Sequence, residues 1–368
     1  MIYLDHGATS FPKPPAVVQA AQRAMLQCAN PGRGGHRYAM TASKVLYDCR
    51  KEAADMFDCG EEQVVFTANC THSLNVAIHS LIRPGSKVVI SGFEHNAVTR
   101  PLQAKGVEMI VAGKKLFDWD DTLTQFENGL RQGASTAVFT HCSNVFGYIL
   151  PVEQMAKLCQ SYRVPFIIDA AQSAGVLPVK LRQLGASYIA MPGHKGLLGP
   201  MGTGILLCND IPKPLLYGGT GSLSESYLMP DYLPDVAEAG TMNVSAIAGL
   251  LAGMQYIKRR GMNNIAQNEG RLTQLCAKKL ENMGYRVYRG EHQSGTVSFV
   301  GNTDCEEIGH KLAQQNIAVR AGLHCAPLAH KSAGTFDTGT VRISVGYDTH
   351  QRDILTFLKV LKNVDFTG

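Results

Sequence analysis

Met191-Pro192-Gly193-His194-Lys195-Gly196-Leu197-Leu198-Gly199-Pro200 places a lysine among glycines directly after the apolar run Tyr188-Ile189-Ala190-Met191. Glycines let other groups approach the backbone closely, so this is an unusual setting for a solvated charge. An ε-amine held there can form a Schiff base, the covalent anchor of pyridoxal 5′-phosphate. The alternative is a loop lysine with its head in water.

Outward from this loop, Val164-Pro165-Phe166-Ile167-Ile168-Asp169-Ala170-Ala171-Gln172-Ser173 is an apolar, β-branched run that ends on an aspartate 26 residues before Lys195. A carboxylate at the C-terminal end of a strand lies where open α/β sheets present ligand-binding groups. Pyridoxal chemistry requires an acidic partner for its ring nitrogen, and Asp169 suits that role. The two stretches therefore explain each other.

Further upstream, Gln63 to Thr67, Lys87 to Ser91, Val107 to Ala112 and Thr136 to Thr140 read as strands, and Gly204 to Cys208 as a returning strand. Helical patterns at Ala16–Cys28, Ser43–Phe57, Leu74–Leu81 and Pro151–Tyr162 accompany them. Strands alternating with helices predict a mostly parallel sheet with covered faces. Cys70, Thr71 and His72 stand where a strand gives way to a helix, so they are candidates to cradle a phosphate, or simply an N-cap. His95 and Asn144 follow strands as Asp169 does, which predicts that all three face one crevice. No G-x-G-x-x-G follows the first strand, so a dinucleotide site has no support.

The 368 residues carry 35 basic and 30 acidic side chains, a formal charge of +5, without a basic run, which argues against nucleic-acid binding. No apolar run reaches the ~20 residues of a membrane span. Ten cysteines are scattered without a C-x-x-C pair, and the N-terminus has no signal-type segment. Reduced thiols in a cytoplasmic protein are the expectation.

The loop Asn30-Pro31-Gly32-Arg33-Gly34-Gly35-His36-Arg37 reads either as the wall of a substrate channel or as plain surface. After the irregular stretch from Tyr217 to Pro234, Thr241 and Asn243 are cap candidates for a long helix, Val244–Arg260, and a smaller α+β lobe follows with its boundary near 245–262. In that lobe Arg320-Ala321-Gly322-Leu323-His324-Cys325-Ala326-Pro327 sets a cysteine beside a histidine in a flexible-looking polar loop, which makes Cys325 the best nucleophile candidate of the ten, against an incidental loop thiol. Arg342, within the apolar run Thr340 to Val345, needs an anionic partner: a substrate carboxylate or a protein carboxylate.

These motifs, in this order, resemble the pyridoxal-phosphate-dependent cysteine desulfurases and selenocysteine lyases of the class V aminotransferase group. The resemblance runs from Tyr3-Leu4-Asp5-His6-Gly7-Ala8-Thr9 through Thr71, Glu94-His95, Ser143-Asn144-Val145, Asp169-Ala170-Ala171-Gln172, Gly193-His194-Lys195, Ala239-Gly240-Thr241 and Arg320–Cys325 to Val341-Arg342. Its Arg-x-Gly-x-His-Cys segment is similar to the type II branch. The resemblance implies an aspartate-aminotransferase-like α/β fold of type I, with a mostly parallel seven-stranded sheet in a large domain, 15–250, and a small α+β domain formed by 1–14 and 251–368.

It also implies roles. Lys195 carries the cofactor and moves the α-proton, Asp169 pairs with the ring nitrogen, Gln172 touches the ring hydroxyl, and His95 stacks on the ring. Cys70, Thr71 and His194, with Thr241 from a second subunit of a homodimer, hold the phosphate. Asn144 lies between cofactor and substrate, Arg342, His6 and Ala8 contact the substrate, and Cys325 takes its sulfur as a persulfide for a downstream protein acceptor, leaving alanine from L-cysteine. A selenocysteine lyase or related C–S lyase is the nearest alternative, and an aminotransferase would leave Cys325 without a task. No metal is implied. Pro192 stands where the family usually has a serine, Cys70 and His72 replace an expected threonine and acid, and the amino-terminal helix of some type II members is expected to be absent.

Overall fold

The computed structural model describes residues 1–32 and 34–365. Arg33, in the glycine-rich loop, lies outside the described residues. Seven strands form the central sheet in the order Val64–Thr67, Gly204–Cys208, Tyr188–Pro192, Phe166–Asp169, Thr136–Thr140, Lys87–Ser91, Glu108–Ala112. All pairings are parallel except the two made by Gly204–Cys208. Strands covered on both faces need near-continuous apolar sequence, and Val-Val-Ile, Ala-Val-Phe and Phe-Ile-Ile supply it. The parallel strands that end at Ser91, Thr140, Asp169 and Pro192 share one C-terminal edge, so the residues just beyond them gather there.

A second sheet of four strands has the order Arg320–Gly322, Thr340–Ser344, Thr296–Val300, Arg286–Tyr288 and is antiparallel throughout. Its core, which includes Leu272, Phe299, Ile343 and Phe357, also takes in Leu4 from the N-terminus. Ile2–Tyr3 pairs in parallel with Ile317–Ala318, and Asp5 bridges to Ser344. The first residues of the chain are thus woven into this lobe.

Local structure departs from the sequence reading at one helix and adds elements that the reading did not name. The helix expected from Ser43 spans Arg37–Phe57, because the His36 ring accepts from the Ala39 amide and caps it six residues earlier. Asn96–Ala104 is a helix despite Pro101, capped by the His95 ring, which accepts from the Ala97 amide at 3.0 Å. Trp119–Arg131 is another, capped by Asp118 with acidic residues in its first turn. Ile317–Ala318 and Arg320–Gly322 are short strands that, though nearly contiguous, belong to two different sheets.

Candidate active site

Lys195 follows the strand Tyr188–Pro192, and its loop closes on itself through the Gly199 amide, which donates to the Gly193 carbonyl at 2.7 Å. At Gly193 a Cβ would lie 2.1 Å from the Thr203 hydroxyl, and at Gly196 one would lie 2.4 Å from the Ala174 carbonyl, so the turn admits no side chain at either position. The His194 carbonyl accepts from the Lys13 ammonium at 2.7 Å and from the Ser10 amide and hydroxyl at 3.1 Å. The N-terminal segment therefore fixes the peptide immediately before Lys195.

The Lys195 amine has no hydrogen-bond partner among the described residues. Burial lowers its pKa, opposed by the charges of Asp169 and Cys70. A cavity of about 190 Å³ opens between it and Asp169, His95, Thr71, Asn144 and Gln172. Asp169 is 2% exposed and accepts from the Ala171 amide at 2.9 Å. Desolvation raises its pKa, so a cationic ring nitrogen is the partner this carboxylate lacks. His95 is held at about 4 by burial and by the Lys195, Arg100 and Arg342 charges, which keeps its ring neutral.

Cys70, Thr71 and His72 open the helix Cys70–Leu81. Asn69 caps the His72 amide at 2.9 Å, while no partner for the Cys70 and Thr71 amides occurs among the described residues. The Cys70 thiol turns away from that end and donates to Asp169 Oδ1 at 3.6 Å. The His72 ring turns back on the Ala68 amide at 3.3 Å. His194 and Pro192 line the Lys195 cavity. Thr241 of the same chain does not; it lines a neighbouring cavity with His72.

Cys325 is the exposed one among the ten free cysteines. Its segment is not the loose loop its composition suggests. The Cys325 carbonyl accepts from the Asn96 amide, and the His324 carbonyl accepts from the Asn144 side chain, each at 2.8 Å. The helix Pro327–Ala333 follows at once. His324 and Cys325 both hold left-handed conformations, φ 51° and 56°, that favour glycine. Two such residues in succession store strain that the flanking hydrogen bonds must hold.

Arg342 is 2% exposed; its guanidinium pairs with Asp5 Oδ1 at 2.6 Å and donates to the Asn144 carbonyl at 2.9 Å. Arg320 takes the other carboxylate oxygen at 3.2 Å. A protein carboxylate thus occupies one side of Arg342, and its buried Nε has no hydrogen-bond partner among the described residues. Gln172 donates to the Gly7 carbonyl at 2.9 Å, and the Ala8 amide donates to the Asp5 carbonyl at 3.0 Å. His6 is buried 3.5 Å from Asp348, with its pKa pushed down to about 4 by desolvation.

Sequence reasoning gave no role to two groups. Lys13 is masked by its prolines, Pro12 and Pro14, which read only as chain breakers. Glu94 is fully buried, accepting from the Ser91 amide and hydroxyl and from the Thr140 amide, and burial pushes it up to about 8. It braces the turn that presents His95, and a carboxyl directly before that histidine was its only signal.

The family model for aminotransferase class-V matches residues 2–357. The chain belongs to the class-V aminotransferase family. Its similar class-V relatives include a protein named probable cysteine desulfurase from Methanothermobacter thermautotrophicus, 31% identical over 385 residues, covering 100% of this chain and 95% of that one. One of the same name from Pyrococcus abyssi is 32% identical over 388 residues, covering 99% and 94%. Among solved structures, the apo cysteine desulfurase of Thermococcus onnurineus NA1 superposes with a TM-score of 0.92 at 31% identity, over 99% of this chain and 94% of that one. The cysteine desulfurase CsdA (S-sulfonic acid) from Escherichia coli gives 0.88 at 25% identity, over 99% and 94%. This class-V chain accordingly has the α/β fold of type I that its sequence suggests.

Proposed function

We propose that the protein is a pyridoxal-phosphate-dependent cysteine desulfurase that converts L-cysteine to L-alanine and retains the sulfur on Cys325. The observation that carries this reading is the anchoring of the exposed Cys325, through its carbonyl, on the Asn96 amide next to His95, which lines the cavity that holds Lys195 and Asp169. The residues present fit the cofactor. An unpartnered amine, a desolvated carboxylate and free first-turn amides surround one cavity. Lys195 would anchor it, Asp169 would pair with its ring nitrogen, His95 and Gln172 would contact the ring, and Thr71, His194 and the Cys70 amide would take the phosphate. Bound there, pyridoxal phosphate supplies an electron sink that acidifies the substrate's α-proton and loosens its carbon–sulfur bond.

The chain's own residues do the rest. Lys195, its pKa lowered by burial, takes the α-proton as a neutral amine. In this reading Arg342 and Asn144 receive the substrate carboxylate, and His6 and Ala8 also contact the substrate. The Cys325 thiolate attacks the substrate sulfur: an S–S bond forms, the C–S bond breaks, and its electron pair stays on carbon, which then takes a proton to become the methyl group of alanine. The persulfide is left for a thiol acceptor, which we infer to be a protein.

The same reading makes the protein a cytoplasmic homodimer whose partner copy brings Thr241 to the phosphate, with lobes 15–250 and 1–14 plus 251–368. Support for a second copy comes from the exposed apolar residues Met40 and Tyr47 on Arg37–Phe57 and Tyr217, Tyr227 and Leu228 in the irregular stretch. Tyr47 and Thr241 line one surface cavity. Ten free thiols suit a reducing compartment.

Product analysis with cysteine, selenocysteine and cystine side by side tests the proposal. Alanine and enzyme-bound sulfur from cysteine support it. Alanine from selenocysteine alone assigns a lyase, and a keto acid in place of alanine assigns an aminotransferase.

A further inference from the structure

Lys195 borders two cavities. Besides the cofactor cavity, it lines a chamber of about 50 Å³ between the lobes, together with His6, Gln172, Glu269, Ser294 and Tyr347. Two of these side chains are more than nine-tenths buried and without hydrogen-bond partners among the described residues. Glu269, on the inner face of Met262–Asn282, is 6% exposed, and His6 is 7% exposed with both ring nitrogens unmatched.

A buried carboxyl with neither an ion pair nor a donor is costly unless it serves a purpose or meets water. The chamber has room for about three water molecules, each with several polar neighbours. It also shares a wall with the other cavity: the Cys142 thiol donates to the Ser294 hydroxyl at 3.2 Å, and Cys142 lines the cofactor cavity while Ser294 lines the chamber. On its outer side His6 Nε2 lies 3.5 Å from Asp348, which is one-third exposed.

Resting on the function proposed above, we infer that the chamber is the proton supply of Lys195, with Glu269 as its acid and His6 and Asp348 as its link to bulk water. The reaction requires such a store. Lys195 takes one proton from the substrate α-carbon, yet two must be returned to carbon before alanine departs, one to the carbon that loses sulfur and one to the α-carbon, so a second proton has to reach the amine from elsewhere. In the step assigned to Glu269, its carboxyl O–H proton passes through chamber water to the Lys195 amine, leaving a carboxylate and an ammonium, and the carboxylate regains a proton from bulk water. Burial pushes Glu269 up to about 8, so it holds that proton at neutral pH. The titratable groups around it are His6 from the N-terminal segment, Lys195 from its loop, Tyr347 beyond Thr340–Ser344 and Cys142 behind Ser294. Glu269 acts through Lys195 and is a positioning and relay residue, not one that touches substrate.

Exchange of the α-hydrogen of L-alanine in deuterium oxide, followed by NMR on the cofactor-loaded enzyme, reads proton traffic at Lys195 without involving Cys325. Glu269→Gln should slow this exchange at least about tenfold, with cofactor absorbance and thermal midpoint unchanged, and Glu269→Asp should recover part of it. Gly295→Ala is a second test that keeps the carboxyl, since its Cβ would lie 2.8 Å from Glu269 Oε2 and displace it; the same slowing is expected. Wild-type exchange in both Glu269→Gln and Gly295→Ala, in an enzyme that makes alanine from cysteine, would overturn the relay alone. A wild type that neither binds the cofactor nor makes alanine would overturn the functional reading and the relay with it.

Discussion

The carbonyl of Cys325 accepts a hydrogen bond from the amide of Asn96 at 2.8 Å, tying the exposed thiol of one lobe to the first turn of the helix capped by His95 in the other. Nucleophile and ring-stacking candidate are therefore held by one backbone contact. The Asn144 side chain adds a second tether through the His324 carbonyl. Asn144→Ala should leave that carbonyl unmatched and cost about 1–3 kcal/mol. Faster amide exchange across 323–326, with alanine formation reduced, is the expected result; protection unchanged from wild type would contradict the tether.

Cys325 should be the first thiol to react. The other nine cysteines are buried or partly buried, and desolvation raises the pKa of each. Limiting iodoacetamide followed by peptide mapping should show one adduct, on Cys325. An adduct on Cys28 or Cys59 ahead of it would contradict the assignment.

Asp5 neutralises Arg342 and Arg320 together. Asp5→Asn leaves the buried Arg342 charge uncompensated, which should destabilise the fold by about 3–5 kcal/mol. Urea unfolding measures it, and a loss below about 1 kcal/mol, typical of a surface pair, would show that the two arginines do not depend on this carboxylate.

Stability should fall as pH drops below 6.5. His6, His95, His141, His194 and His330 are pushed to about 4, and His324 to about 2, so below the ordinary histidine value of 6.5 the unfolded chain binds more protons and stability falls with falling pH. Glu94 and Glu269 are pushed up to about 8, so between 4.5 and 8 the folded chain binds more protons and their contribution is lost as pH rises. Six histidines outweigh two carboxyls on the acid side, whereas above 6.5 the loss from the carboxyls is opposed by Lys13 and Lys195, whose amines burial holds below their ordinary values. Urea unfolding of the cofactor-free protein across this range checks the shape. Glu94→Gln, neutral at every pH, should lose less stability, or gain more, than wild type as pH rises from 6.5 to 8.

Much of this site was legible because its residues follow strands. Asp169 and Lys195 sit just where an apolar run ends, and sheet topology carries such positions to one edge. Long-range partners were not legible. Nothing near Arg342 in the sequence signals Asp5, which reaches it only because Ile2–Tyr3 pairs with Ile317–Ala318. The Cys325 segment reads as flexible from its small and polar residues, yet its anchors, Asn96 and Asn144, lie in the other lobe. Pro101 hid the helix Asn96–Ala104, because propensity alone does not register the histidine cap that starts it. Glu269 reads as one more polar position on an amphipathic helix until folding buries it beside Lys195.

Mass spectrometry of the cofactor-loaded enzyme after a single addition of L-cysteine, without reductant, tests the central assignment most directly. One added sulfur atom on the Cys325 peptide, matched by one equivalent of alanine, is the predicted result, with both lost in Lys195→Ala and the sulfur adduct lost in Cys325→Ala. Undiminished alanine formation by Cys325→Ala, or sulfur carried on another cysteine, would contradict it.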